Sequence, residues 1–184
     1  MLMVRTLIFV VAGLLMGLMI HLVVILILPR ISENGAYTRI AAIEALNRTT
    51  LLKLPAAGEP NPLHLDPDMS YALCKIDLSA GPGELTGTLP LAFWSLAVYD
   101  HSGTVLYSTT NRDGIGQTLD LGIFDPAQTR LLAEQKIDIS PGLLIVEAHT
   151  DQVFVVVRLA PPHPSMRPRY EAQLERLSCR NIAI

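Results

Sequence analysis

Residues 92–108, AFWSLAVYDHSGTVLYS, indicate the fold of this chain most clearly. Apolar side chains recur at every second position around a central DHSG loop, and this alternation is typical of strands with one buried face. Gly103 ends the loop where a tight hairpin needs a positive φ angle. The stretch therefore predicts an antiparallel hairpin on which Trp94, Leu96 and Val98 share one face.

Short apolar runs separated by prolines and glycines continue on both sides of this hairpin, and they predict further strands. The predicted strands are Tyr71–Leu78, Glu84–Leu89, Thr118–Ile123, Leu143–Ala148 and Gln152–Leu159. We expect the second of these to lie at a sheet edge and the last to lie centrally, because residues 153–157 are apolar throughout. We also expect the fourth and fifth strands to pair as a second hairpin.

Two helices are predicted in the same region. Asp125-Pro126 is typical of an N-cap followed by the first helical residue, and it predicts a helix that ends near Gln135. A last helix is predicted over about Arg167–Ser178, because its apolar residues recur at helical spacing. These elements together predict a mainly β domain over residues 70–184, an antiparallel β-sandwich with peripheral helices.

An uncharged apolar stretch, Thr6–Leu28, precedes this domain. At about 1.5 Å per residue it is long enough to cross a hydrocarbon core of roughly 30 Å as one helix. A cleaved signal peptide is the alternative, but its apolar region is usually about 7–15 residues long and ends at a small-residue cleavage site. Here the stretch is longer and ends at Pro29-Arg30-Ile31-Ser32, so we favour an uncleaved anchor.

This anchor divides the N-terminal part of the chain. Residues 1–5 are interpreted as a cytoplasmic tail and residues 6–28 as a transmembrane helix. Residues 29–69 are interpreted as a juxtamembrane helix, over about Asn34–Leu46, followed by a proline-rich loop over Leu54–Pro67.

The charges beside the anchor do not decide its orientation. Arg5 precedes it, whereas Arg30, Arg39 and Arg48 follow it within about 20 residues. Counted literally, the positive-inside rule keeps the C-terminal domain in the cytoplasm, but long domains cross membranes largely regardless of charge.

The chain holds two cysteines, Cys74 in a predicted strand and Cys179 after the last predicted helix. An even pair that is far apart in sequence suits a disulfide between a core element and a terminal helix, formed in an oxidising compartment. Two free buried thiols in a cytoplasmic domain are the alternative, because cysteine is often fully buried. We favour the disulfide, and hence a domain outside the cytoplasm.

The overall charge argues against a nucleic-acid partner. The chain has 14 Lys and Arg against 17 Asp and Glu, and leaving out Arg5 gives 13 against 17, a net charge of −4 for the remainder. A nucleic-acid surface needs a concentrated basic face.

Several motifs resemble the proteobacterial domains of unknown function of the DUF-1214/DUF-1254 type. The run Phe93–Asp100, continued by Tyr107-Ser108 and Asn111-Arg112-Asp113, is similar to a segment of these domains. Their short alphaproteobacterial members also share the anchor ending in Leu-Pro-Arg, Ala36-Tyr37-Thr38-Arg39, the stretches Asn47–Leu52 and Cys74–Ser79, and a late cysteine that matches Cys179. The resemblance implies a bacterial inner-membrane protein with its C-terminal domain in the periplasm. It implies no catalytic residues.

Three residues of the anchor are candidates for contact with a partner helix. Gly13, Gly17 and His21 are spaced four apart, so they share one helix face. Two glycines at this spacing permit close helix approach, and His21 can then hydrogen-bond across the interface. A neutral histidine bonded to its own helix or to the backbone of a partner is one alternative, and ligation of a tetrapyrrole metal by His21 is another.

The remaining polar candidates lie in predicted loops. These are His64, Asp66 and Asp68 in the proline-rich loop and His101 and His149 in hairpin turns. A metal or acid–base site would need two or three of them to converge, whereas isolated loop residues of these types are usually solvated or form turns. We therefore predict no catalytic, metal or cofactor site. Trp94, the sole tryptophan, is interpreted as a core residue, with a ligand platform as the alternative.

The sequence thus favours a non-enzymatic accessory or assembly subunit of a membrane complex, with the lipid bilayer and an integral-membrane protein as partners. A small-ligand or tetrapyrrole-binding membrane subunit and a periplasmic enzyme are the alternative hypotheses.

Overall fold

A computed structural model describes residues 2–31, 36–56, 58–113, 117–135 and 142–182. The helices are α1 (Leu2–Ile31), α2 (Ala36–Ala41), α3 (Pro126–Gln135) and α4 (Arg167–Leu174). The strands are β1 (Thr50–Leu51), β2 (Ser70–Asp77), β3 (Gly83–Thr88), β4 (Phe93–Asp100), β5 (Val105–Thr110), β6 (Thr118–Phe124), β7 (Leu144–Glu147), β8 (Gln152–Ala160) and β9 (Ser178–Asn181). Short 3₁₀ turns lie at Leu78–Ala80 and Pro164–Met166.

The strands form two sheets that enclose the main core, in agreement with the predicted β-sandwich. The larger sheet has the order β1-β2-β8-β4-β5 and the smaller sheet has the order β7-β6-β3-β9. Every pairing is antiparallel except that of β6 with β7. The inward faces alternate as expected, with Trp94, Leu96 and Val98 of β4 buried against the other sheet.

Strand β8 lies between β2 and β4, so its predicted central position is correct. The predicted second hairpin is wrong, because β7 does not pair with β8. Instead β7 pairs in parallel with β6 of the smaller sheet. A parallel pair needs a long crossover, and α3 lies in the connection between these two strands.

Strand β3 lies inside its sheet, so the predicted edge position is also wrong. Its second neighbour is β9, a strand that the sequence does not predict; the predicted last helix runs to Ser178, where β9 begins. Helix α4 ends at Leu174, and from Leu177 the burial pattern has a period of two. Leu177 and Cys179 are buried, whereas Ser178 and Arg180 are exposed. This alternation is typical of a strand and explains the correction.

The segment after α2 consists of turns and one bridge to the sheet rather than helix. The predicted helix over 34–46 is reduced to Ala36–Ala41 among the described residues. Beyond it, the carbonyl of Ala45 accepts a hydrogen bond from the Lys75 N–H, and the Asn47 N–H donates to the Lys75 carbonyl, both at 2.8 Å. These bonds and β1 extend the larger sheet beyond β2, so part of the predicted juxtamembrane region packs onto the sandwich.

Candidate functional site

The outer face of the larger sheet carries a second, smaller core. Its buried members are Ala45, Leu73 and Phe154, and Ile40, Ile43, Leu52, Tyr99 and Val156 pack against them. The members on β2, β4 and β8 point away from the sheet–sheet core, because they alternate with the inward residues; they are Leu73, Tyr99, Phe154 and Val156. Helix α2 and the chain that follows it therefore cover one face of the sandwich.

A cleft of about 300 Å³ lies beside this smaller core. Its floor includes the rings of Tyr99 and Phe154, which stack with centroids 5.0 Å apart and planes 9° apart. Such offset aromatic pairs are rigid and present a flat apolar surface. The lining residues are Ile40, Leu52, Leu63, His64, Leu65, Tyr71, Tyr99, Gly103, Phe154, Val156 and Arg158. We call this the outer cleft.

The proline-rich loop forms one wall of the outer cleft and is held by its own hydrogen bonds. The Asn61 side chain donates to the Leu65 carbonyl at 2.7 Å and accepts from the Leu65 N–H at 2.9 Å. Between these two residues His64 has a positive φ angle of 52°, which is uncommon for a residue with a side chain. The Asp66 N–H donates to the Tyr71 hydroxyl at 3.0 Å, and this bond ties the loop to β2.

Helix α2 is also joined to the loop. The guanidinium of Arg39 donates a hydrogen bond to the Pro62 carbonyl. Ile40, the next residue, lines the outer cleft. The cleft is therefore walled by the first helix after the anchor as well as by the loop and the sheet.

Arg158 is the cationic side chain at the polar end of the outer cleft. It lies on the central strand β8, where its register partners are Tyr71 of β2 and Ser95 of β4. The Nε atom of Arg158 is buried and has no hydrogen-bond partner among the described residues. The side chains that line the cleft include no carboxylate in the part of the chain that the structure describes. The cleft thus combines a mainly apolar lining with the cationic guanidinium of Arg158.

Most of the candidate residues named from the sequence lie outside the outer cleft. Gly13, Gly17 and His21 lie along α1, which is exposed over its whole apolar length. Cys74 and Cys179 form a disulfide with their Cα atoms 6.2 Å apart, and the bond joins β2 of the larger sheet to β9 of the smaller one. Cys179 therefore lies on strand β9, which follows α4.

Trp94 is 1% exposed and packs in the main core between the sheets. It does not line the outer cleft, because it lies on the opposite face of the larger sheet. The alternative role of a ligand platform is therefore not supported for this residue.

The loop histidines and aspartates do not form one site. No group of three or more His, Cys, Asp and Glu side chains is placed to hold a metal among the described residues. His64 lines the outer cleft, whereas His101 and His149 line a shallow depression beside Asp151. The carboxylate of Asp66 accepts a hydrogen bond from the Asp68 N–H at 2.8 Å, which is a turn-forming contact.

Two other aspartates stabilise turns at the ends of β5. Partial burial raises the pKa of Asp100, but hydrogen bonds from Ser102 and Thr104 outweigh this effect and lower the pKa below its usual value. The pKa of Asp113 is lowered by the hydrogen bond from the Thr110 N–H and by bonds from neighbouring threonine hydroxyls. These carboxylates act locally, in turns.

The sequence interpretation did not single out Arg158. The signal was available, because Arg158 is the one charged residue in the otherwise apolar run VFVVVRLA of a central strand. By alternation it shares a face with Phe154 and Val156, which is the face opposite to the main core. What the sequence could not supply is the covering by α2 and the loop, which turns this face into a cleft.

The comparisons with known proteins identify the family. A family model described as a protein of unknown function, DUF1254, matches residues 46–179. The chain belongs to the DUF1254 family. This match includes the whole sandwich core, the proline-rich loop and Arg158, whereas α1 and α2 precede it.

Two solved structures are similar to part of this chain at low sequence identity. The VPA0106 protein from Vibrio parahaemolyticus is 10% identical with a TM-score of 0.51, and the match covers 64% of this chain and 28% of that one. An uncharacterized protein from Burkholderia cenocepacia is 9% identical with a TM-score of 0.44, and the match covers 73% of this chain and 34% of that one. The matched region thus spans about a third or less of either structure. Among curated proteins none matches the chain.

Proposed function

We propose that this DUF1254 protein is a single-pass protein of a bacterial inner membrane that holds its sandwich in the periplasm. There it serves as a non-enzymatic accessory or assembly subunit of an integral-membrane partner. The observation that carries the proposal is that the apolar stretch of α1 is exposed. The helix has an apolar stretch of 27 residues, Leu2–Leu28, and none of its most apolar window is buried against the sandwich.

An anchor whose most apolar window is not buried against its own domain has the faces of that window available to lipid or to another helix. One face holds Gly13, Gly17 and His21, and nothing lies within 4 Å of the position that a Cβ atom would take at either glycine. Close backbone approach at small residues is the usual basis of helix association in membranes, because lipid tails are as apolar as leucine. We infer that this face contacts the partner.

The disulfide supports the outward orientation. Disulfides persist in oxidising compartments and are rare in the cytoplasm. The Cys74–Cys179 bond is buried, since the two residues are 2% and 6% exposed. A signal sequence would give the same orientation without an anchor, so the intact mass of the mature protein is the first measurement: loss of residues up to about position 30 would contradict anchoring.

The partner contact is tested with matched leucine variants of the full chain, solubilised in mild detergent and quantified by mass spectrometry. We expect Gly17→Leu to lower the yield of the co-purified membrane partner at least about tenfold, because the side chain holds the backbones apart. Met19→Leu is the control, since position 19 lies on the opposite face and the change adds no bulk near the glycines.

His21→Leu tests the hydrogen bond of the imidazole separately from the close helix approach at the glycines. We expect it to weaken recovery of the partner if the imidazole hydrogen-bonds across the interface, while the helix still inserts. Equal partner yields for wild type, Gly17→Leu and His21→Leu would show that α1 is only a tether. A Soret band in the purified protein would instead favour the alternative in which His21 ligates a tetrapyrrole.

A further inference from the structure

The outer cleft has the features of a ligand site, and neither the family nor the proposed accessory role assigns one to it. We propose that it binds a single-chain anionic amphiphile, with the carboxylate or phosphate head on Arg158 and the apolar chain along the floor of the cleft.

The head is assigned from Arg158. Its Nε atom is buried without a hydrogen-bond partner among the described residues, and no carboxylate lines the cleft there. A guanidinium remains charged at any physiological pH and presents donors in a fork that matches a carboxylate or a phosphate. Arg158 is only partly buried and lines the cleft, so an anionic oxygen group bound there can pair with its guanidinium.

The remaining residues that line the cleft indicate where the apolar chain of the ligand lies. From Arg158 the floor runs over Val156 to Phe154, a distance of about 13 Å at about 3.3 Å per residue. Leu52, Leu63 and Leu65 form the walls, and the Tyr71 hydroxyl already accepts a hydrogen bond from the loop backbone. A volume of about 300 Å³ lies at the lower end of small-molecule sites. The cleft therefore fits one medium-length chain rather than a diacyl lipid.

The route of entry follows from the position of α2. Five Cα steps join Ile31, the last residue of α1, to Ala36, and Ile40 of the cleft wall follows four residues later. Fully extended steps and a helical rise together place Ile40 within about 24 Å of the end of α1. This step rests on the proposed membrane anchoring. An amphiphile leaving the outer leaflet thus has a short path to the cleft.

The test uses the full-length protein in phosphatidylcholine nanodiscs with three photoreactive diazirine probes: dodecanoate, monododecyl phosphate and dodecanol. The two anions distinguish a carboxylate head from a phosphate head, and the alcohol has the same chain without a charge. After irradiation, labelled peptides are mapped by mass spectrometry. We expect at least one anion to label peptides that contain Leu63, Tyr71 or Val156, whereas dodecanol labels α1 alone.

Four variants sharpen this experiment. We expect Arg158→Met to reduce cleft labelling at least about tenfold, because it removes a hydrogen bond to a charged group. Arg158→Lys is expected to restore most of the labelling because it keeps the positive charge. Val156→Phe keeps the arginine but fills the floor, so it is expected to lose labelling as well. Arg112→Met removes an exposed guanidinium outside the cleft and is the matched control.

Labelling of α1 reports how much probe is present in each bilayer, so the two proposals fail in different ways. Absence of label on α1 contradicts the anchoring. Labelled α1 with an unlabelled cleft in the wild type contradicts the ligand site. Equal cleft labelling by dodecanol, or unchanged labelling in Arg158→Met, shows hydrophobic partitioning only and overturns the assignment of an anionic head. Should Arg158→Met lose protease resistance, Val156→Phe and Arg158→Lys still decide the outcome.

Discussion

Removing the disulfide is expected to destabilise the sandwich strongly, because the bond closes a long loop and joins its two sheets. Cys74 and Cys179 are 105 positions apart in sequence. On the chain-entropy model, cross-linking a loop of that length restricts the unfolded chain enough to stabilise the fold by about 4–5 kcal/mol. We therefore expect Cys74→Ala/Cys179→Ala to lower the free energy of unfolding by that amount, a large share of the about 5–15 kcal/mol typical of a domain.

The assay is pulse proteolysis of the full-length protein in mild detergent across a urea series. Wild-type protein treated with a reductant is the control, since it loses the same cross-link without any substitution. Both samples should lose a similar amount of stability. A loss below about 1 kcal/mol in both would refute the argument that the loop restricts the unfolded chain. Alkylation of freshly isolated membranes tests the compartment, because two reactive thiols before reduction would contradict an oxidising location.

Three further outcomes are expected from the same assay. Trp94→Ala should lower the free energy of unfolding by about 3–5 kcal/mol, whereas Phe93→Ala on the exposed face should cost less than about 1 kcal/mol; equal losses would mean that the register of β4 is wrong. Because the pKa values of Asp100 and Asp113 are lowered in the folded state, their stabilisation is present above about pH 4 and disappears as pH falls through the lowered values. The stability difference between wild type and Asp113→Asn should therefore shrink below pH 4, and a difference that grows on acidification would contradict the sign. Arg158→Met should raise the free energy of unfolding by about 1 kcal/mol, since it removes a buried unsatisfied donor, and a marked loss would indicate a structural role.

Local periodicity explains why most elements could be predicted from the sequence. Five strands and α3 agree with their predicted bounds within about two residues. The strand at Ser70–Asp77 and the hairpin around Gly103 each carry their own alternation. Asp125 and Pro126 mark the start of α3 in the chain itself. Such signals need no knowledge of the partner strand.

The errors arise where the partner decides the structure. Leu144–Glu147 has the same apolar pattern whether it pairs with β8 or with β6, and only the crossover through α3 selects β6. Ser178–Asn181 follows a helix without a proline or glycine, so its change to a strand is set by pairing with β3. The outer cleft depends on contacts between residues up to about a hundred positions apart, and alternation alone does not encode them.

The outer cleft is lined by residues that lie inside the family match and by residues that precede it. Residues 46–179 contain Arg158, the aromatic floor and the proline-rich loop, so the charged end of the cleft belongs to the DUF1254 domain. Ile40 and Arg39 lie before this region, on a helix of six residues. A helix so short is held by tertiary contacts rather than by its own propensity. Its contacts with the cleft and with the Pro62 carbonyl therefore hold α2 in place, so the shape of the cleft depends on residues on both sides of the boundary of the family match.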